Sequence, residues 1–354
     1  MSAHPALTST LPPAREPARS WRSDELRLDL CGTWRFRLSP GPAWAPEDAA
    51  RPELDDSGWE TITVPSHWVL PPDGSRGLPI YTNIQFPIPL DPPHVPDLNP
   101  TADHRLRFTL PDEWRELPRV LLRLDGVESY AVVSLNGTEV GTFSGSRLPL
   151  ELDVTQVLRP GENLLHLRVS QWSANSYLED QDQWWLPGIF REVSLVGRPA
   201  GVIRDAWLQA GWDVATGHGT LVPQVSTDGW PVRLQVPELG VDVTWQSPDE
   251  LAPIDVGAVQ PWSCDTPRLH DATLSTATDS MALRLGFRSV ELRGNQWLVN
   301  GLPLRLRGVN RHEFHPEQGR VFVEADARAG LELMKRHHVN AVRTSHYPPH
   351  PRLL

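Results

Sequence analysis

The chain has 354 residues, 39% of them hydrophobic and 22% charged, enough for two or three domains with their own cores and unlike a disordered or disulfide-stapled chain. With 33 Lys and Arg against 44 Asp and Glu, its formal charge of −11 argues against a nucleic-acid binder or an anionic-membrane binder and suits neutral or cationic small ligands. No apolar run approaches the ~20 residues of a bilayer span, so no membrane partner is expected.

Residues 1–22 carry four prolines and no apolar stretch. They read as a disordered leader without a secretory signal, which predicts a cytoplasmic protein with Cys31 and Cys264 reduced. From residue 23 to 199 the pattern is β. Gly32 to Leu38, Arg105 to Leu110, Val120 to Asp125, Leu148 to Val154 and Leu164 to Val169 all alternate or form short apolar runs. Between Ala131–Leu135 and Thr138–Val140 stands Asn136-Gly137, the pair that supplies positive φ at both central positions of a two-residue hairpin. This region is expected to be a jelly-roll sandwich. The 36 prolines and 25 glycines, spread along the chain, fit many short strands joined by turns. The 15 tryptophans supply rings that fill sandwich cores or stack on the apolar faces of sugars.

Residues 200–289 offer patchier strands at Gly201 to Gln209, Gly219 to Ser226, Val232 to Val236 and Thr273 to Leu285, a length that suits an immunoglobulin-like β-sandwich. Residues 290–354 change character. Leu304 to Asn310 reads as a strand, Ala325 to His338 as a helix and Asn340 to Thr344 as a second strand, a βαβ unit. In such folds ligands gather at the C-terminal ends of parallel strands, and those ends carry His312 and His346. The imidazoles are candidate metal ligands or hydrogen-bond donors, and the lack of an obvious third ligand at zinc spacing favours donors. A (β/α)8 barrel takes ~250 residues. The fold class expected is therefore mainly β: two sandwiches followed by the incomplete start of a TIM barrel, in a truncated chain.

Arg307-Gly308-Val309-Asn310-Arg311-His312-Glu313, Leu333-Met334-Lys335 and Asn340 to Pro348 resemble the opening of the catalytic barrel in the beta-galactosidases of glycoside hydrolase family 2. Upstream, Tyr81-Thr82-Asn83, Pro92 to Pro96 with Asn99-Pro100-Thr101, and Ser176 to Asp182 leading to Gly188-Ile189-Phe190-Arg191 resemble that family's sugar-binding domain in the same order. The resemblance runs from about Leu26 to the last residue and is weakest between Ala215 and Gln260.

It implies retaining hydrolysis of terminal β-galactosides such as lactose, with Asn83 and Asp182 binding substrate and Asp182 also binding sodium. His312 and His346 would hold galactose hydroxyls in the transition state, and Arg343 would stand beside the nucleophile. Each residue also has a plainer role available. Asn83 suits a turn cap, Asp182 a solvated acidic loop and Arg343 a structural ion pair. The family's two catalytic glutamates and its magnesium ligands are not in this chain, which predicts inactivity of the fragment alone and a homo-oligomer for the complete enzyme. Trp184-Trp185-Leu186-Pro187 departs from the commonest beta-galactosidase wording and keeps beta-glucuronidases open. A non-catalytic carbohydrate-binding β-sandwich protein is the alternative from another class.

Overall fold

A computed structural model describes residues 25–354. The leader expected over residues 1–22 lies outside the described residues. The first unit pairs a six-stranded sheet with a four-stranded one. The larger runs, in spatial order, through Glu60–Val64, Gly32–Ser39, Thr101–Leu110, Gly161–Ser170, Tyr130–Leu135 and Thr138–Ser144. The smaller runs through Arg27–Asp29, Val193–Arg198, Arg119–Leu124 and Leu150–Asp153. Pairings in both are antiparallel. Side chains from both sheets share one apolar core, among them Trp34, Phe36, Leu165 and Leu167 from the larger and Leu122, Leu124, Leu152 and Leu195 from the smaller. Period-2 alternation produces this directly, since every second side chain points to the same face. At the Asn136-Gly137 hairpin φ is 54° and 85°, as a primed turn requires.

A second apolar core, including Ile203, Leu221, Leu234, Leu274 and Phe287, lies between two smaller sheets. Ile203–Trp212, His218–Thr227 and Ile254–Ala258 form one. Val241–Trp245, Val232–Val236, His270–Ser275 and Ser280–Leu285 form the other. The stretch expected as one strand over Thr273 to Leu285 is a hairpin. Thr276 accepts a backbone bond from Asp279 at its hydroxyl (3.1 Å), and its own N–H reaches the Asp279 carbonyl (2.9 Å), so the chain reverses there. Two further strands, Val241–Trp245 and Ile254–Ala258, were not anticipated.

Past a three-stranded meander over Val290–Arg293, Gln296–Val299 and Leu302–Pro303, the parallel pair Gly308–Arg311 and Ala341–Thr344 is joined by the helix Glu324–Arg336. The first strand begins four residues later than expected. Leu304 N–H is committed to Trp297 O (2.8 Å), and the Asn340 amide brackets the approach, accepting from Arg307 N–H (2.7 Å) and donating to Arg305 O (2.9 Å). The backbone is thus engaged elsewhere until Gly308.

Candidate active site

The parallel register sets Arg311 opposite Thr344, and both strands run out into the residues that carry the chemistry. His312 and His346 meet edge to face with ring centroids 5.3 Å apart. From the first sandwich comes Asp182, whose Oδ2 lies 4.0 Å from His346 Nε2 and whose Oδ1 accepts a hydrogen bond from the Tyr81 hydroxyl. Tyr81 is placed for this because Ile80–Tyr81 pairs with Trp184–Trp185 just beyond Asp182. A cleft of about 320 Å³ opens here, lined by Tyr81, Asp182, Trp184, His312, Phe314 and Tyr347 together with Gln183 and Arg320.

The His312 pKa is pulled down by burial and by the like charge of His346, against the opposing pull of Asp182, with Arg343 adding a further push downward. At neutral pH the ring is therefore uncharged and offers one donor and one acceptor nitrogen. Tyr81 shifts upward, first through its hydrogen bond to Asp182, and keeps its proton. The cleft thus presents a carboxylate acceptor, the His312 imidazole able to donate and accept, and aromatic surface, a set that suits a neutral, hydroxyl-rich ligand.

What holds sandwich and barrel segment in this relation is a buried polar network. Arg320 is 2% exposed. Its guanidinium forms an ion pair with Glu128 and donates to Trp184 O (2.9 Å), Gln183 Oε1 (3.3 Å) and Leu186 O (3.3 Å), the segment just after Asp182. Burial lowers its pKa to about 10, so it stays charged at neutral pH. Its backbone N–H donates to His67 Nε2 (3.1 Å). Gly319 lets the loop come this close: φ is +62°, and an added Cβ would stand 2.6 Å from the His67 ring. Glu128 also takes Arg147 (3.4 Å) and Leu186 N–H (3.3 Å).

A second tie runs through the chain's last residues. Glu313 accepts from Arg191 (3.2 Å) and from His350 N–H (2.8 Å), and His350 meets Glu192 at 2.9 Å. Burial acts to raise the Glu192 pKa, but the hydrogen bond and charge of His350 outweigh it and hold the group at about 2, against an ordinary 4.5. A depressed carboxyl contributes stability that is whole above its unfolded value and lost as pH falls through the folded one. Protection of residues 345–354 against hydrogen exchange, taken relative to the intrinsic rate at each pH, should therefore fall between about pH 4.5 and pH 2. Glu192→Gln should flatten that dependence; an unchanged profile in the variant would refute the assignment.

Of the residues singled out from sequence, His312, His346 and Asp182 come together. Arg343 is exposed on its strand and acts on His312 only through its charge. Asn83 is exposed on the loop after Ile80–Tyr81 and is not part of the cleft lining; Tyr81, two residues earlier, reaches Asp182 instead. Sequence reasoning missed Tyr81, Glu128, Arg320 and Phe314. Only the Tyr81-Thr82-Asn83 motif pointed towards any of them.

Among the described residues no group of three or more His, Cys, Asp or Glu side chains is placed to share a metal ion. Hard cations take several oxygen ligands, whereas Asp182 offers one carboxylate already engaged by Tyr81. Asp182 alone would supply only part of the oxygen ligands that a sodium ion takes. Among the described residues no helix is long and apolar enough to cross a membrane.

Residues 27–199 match the sugar-binding domain of glycosyl hydrolases family 2, and residues 290–354 match the TIM barrel domain of the same family. A beta-galactosidase of Arthrobacter sp. (strain B7) is 55% identical over 357 residues, covering 96% of this chain and 35% of the relative. A beta-galactosidase of Psychromonas ingrahamii is 38% identical over 374 residues, with 96% and 36% covered. The chain thus spans about a third of the length of these relatives. Among solved structures, an uncultured Clostridium sp. beta-glucuronidase superposes with a TM-score of 0.71 at 23% identity, covering 98% of this chain and 58% of that one. The Ruminococcus gnavus b-glucuronidase in complex with D-glucaro-d-lactam gives 0.73 at 20% identity, with 93% and 57% covered. At these identities the likeness shows a shared fold.

Proposed function

The chain belongs to glycosyl hydrolases family 2, and from that premise we propose that it carries the sugar-recognising part of a retaining beta-galactosidase. The observation that carries the reading is the convergence of His312 and His346, from the ends of two parallel strands, on Asp182 from the sandwich. In this reading Asp182 accepts from a galactose hydroxyl while the imidazoles donate to its neighbours. Hydrogen bonds that tighten as the sugar approaches the oxocarbenium stage lower the barrier, because only interactions stronger in the transition state accelerate the step.

Glycoside cleavage also needs two carboxyl groups flanking the bond, ~5–5.5 Å apart for retention. Asp182 is engaged by Tyr81, and Glu313, beside His312, is tied by Arg191 and His350. Neither is free to act as one of that pair, and the chain spans about a third of the length of the relatives it matches. A galactoside is favoured over a glucuronide by the names of the sequence relatives and by Asp182, whose negative charge would repel a uronate.

Saturation-transfer NMR on the 354-residue chain tests this. Methyl β-galactoside should bind saturably and better than methyl β-glucuronide. His346→Ala and Asp182→Asn should each weaken it about tenfold, the worth of one good hydrogen bond. Equal or better glucuronide binding, or affinity indifferent to both substitutions, would refute the galactoside assignment.

A further inference from the structure

In the second sandwich, the sheet of Ile203–Trp212, His218–Thr227 and Ile254–Ala258 has one face on the core, supplied by Ala206, Leu208, Leu221 and Val225. Alternation sends the intervening side chains outward. The register sets Trp207 beside Gln224 and Gln209 beside Val222, a square with apolar groups on one diagonal and amides on the other. Trp207 is 44% exposed and Val222 37%, and Gln224 is exposed with them. In the next row Gly211 stands beside Thr220. A Cβ on Gly211 would meet only Thr220 O, at 3.8 Å, so the glycine leaves the face low there without serving any packing need. These three rows carry no ionisable residue. Carboxylates mark the two ends, Asp205 one row before Trp207 and Asp255 beside Thr220.

We propose that this face binds a neutral oligosaccharide, with the Trp207 indole stacked on the apolar face of one pyranose ring and the Gln209 and Gln224 amides meeting its hydroxyls. A side-chain amide both donates and accepts, as a hydroxyl-rich ligand requires, and a large flat ring supplies contact area at low entropic cost. The apolar content argues against a protein partner. Two side chains fall well short of the several hundred Å² of contiguous apolar surface that marks such interfaces. The carboxylates at both ends, in a chain of charge −11, disfavour uronates and other anionic glycans. From Asp205 to Gly211 the face runs roughly 20 Å along the strand, room for several linked rings, so the occupant is a sugar chain and not a single residue. The cleft lined by Asp182 and His312 takes no residue from this sandwich, so the proposal stands or falls apart from the galactoside reading.

Isothermal titration of the 354-residue chain with cellohexaose, xylohexaose and hexagalacturonate tests this, the first two being neutral and free of galactose. At least one neutral hexaose should bind saturably, and hexagalacturonate at least tenfold more weakly than that ligand. Trp207→Ala should weaken the neutral ligand about ten- to thirtyfold, the usual cost of truncating a central aromatic anchor. Gly211→Leu, which fills the low row, should weaken it comparably. Both substitutions lie on an exposed face and should leave the thermal midpoint and methyl β-galactoside affinity unchanged, while His346→Ala should leave hexaose binding intact. Failure of both neutral hexaoses to bind, hexagalacturonate binding as tightly as either, or affinity that survives Trp207→Ala or Gly211→Leu overturns the proposal. Hexaose binding that is lost with His346→Ala assigns the sugar chain to the cleft and overturns it as well. A chain that binds the hexaose through Trp207 but no methyl β-galactoside upholds this surface and refutes the cleft reading alone.

Discussion

Glu128→Ala should destabilise the chain by about 3–5 kcal/mol, the usual result of removing one partner from a buried ion pair. The Glu128 side chain is 3% exposed and faces two guanidiniums, Arg147 and Arg320, while also accepting Leu186 N–H. Arg147 keeps Glu179 at 3.0 Å, but Arg320 would be left with neutral acceptors alone, at Trp184, Gln183 and Leu186. A charge held among carbonyls without a counter-charge retains most of its desolvation cost. Because Arg320 ties the barrel segment to the strand beside Asp182, the loss should appear first as protease sensitivity and faster hydrogen exchange between residues 313 and 354. Glu128→Leu combined with Arg320→Met removes both charges and should cost less than the two single changes together. A single-variant loss below about 1 kcal/mol would place the pair among weakly contributing surface bridges and refute its role as the joint.

Trp34→Ala should cost about 3–5 kcal/mol as well, through cavity formation, but with a different distribution. Trp34 is fully buried in the core shared by the two sheets of the first sandwich, and its indole N–H donates to Leu30 O at 2.9 Å. Truncation removes the packing and strands that carbonyl. Exchange should rise across Thr101–Leu110 and Gly161–Ser170, the central strands of the larger sheet, before the chain's last residues are affected. Trp34→Phe, which keeps most of the volume, should lose markedly less. Equal effects of the two substitutions would show that the ring's volume is not what the core requires.

Much of the fold was legible because its signals are local. Alternation at Gly32 to Leu38 and Leu164 to Val169 marks strands wherever one face is buried, and Asn136-Gly137 marks a hairpin through the dihedral angles those residues tolerate. The reading went astray where local pattern was silent. Thr273 to Leu285 looks like one run because the turn at Thr276–Asp279 contains neither glycine nor proline. The strand expected from Leu304 starts at Gly308 because Asn340, more than thirty residues away, engages the intervening backbone. In the site, His312 and His346 were accessible from a general rule about the ends of parallel strands. Asp182 was accessible only through resemblance to a family, since an acidic loop by itself is usually solvated.

The sequence alone determined the strand-rich character, the hairpin, the βαβ unit and the two histidines, because each follows from the preferences of residues within a few positions of one another. Tertiary structure decided that Tyr81 rather than Asn83 reaches Asp182, that the Arg320 backbone N–H finds His67 across 253 residues, that the Arg320 guanidinium meets Glu128, and that the Trp34 indole is buried between the sheets. Those outcomes depend on burial: a guanidinium or indole settles where its polar atoms find partners and its apolar surface leaves water, and the partners are known only once the sheets have stacked.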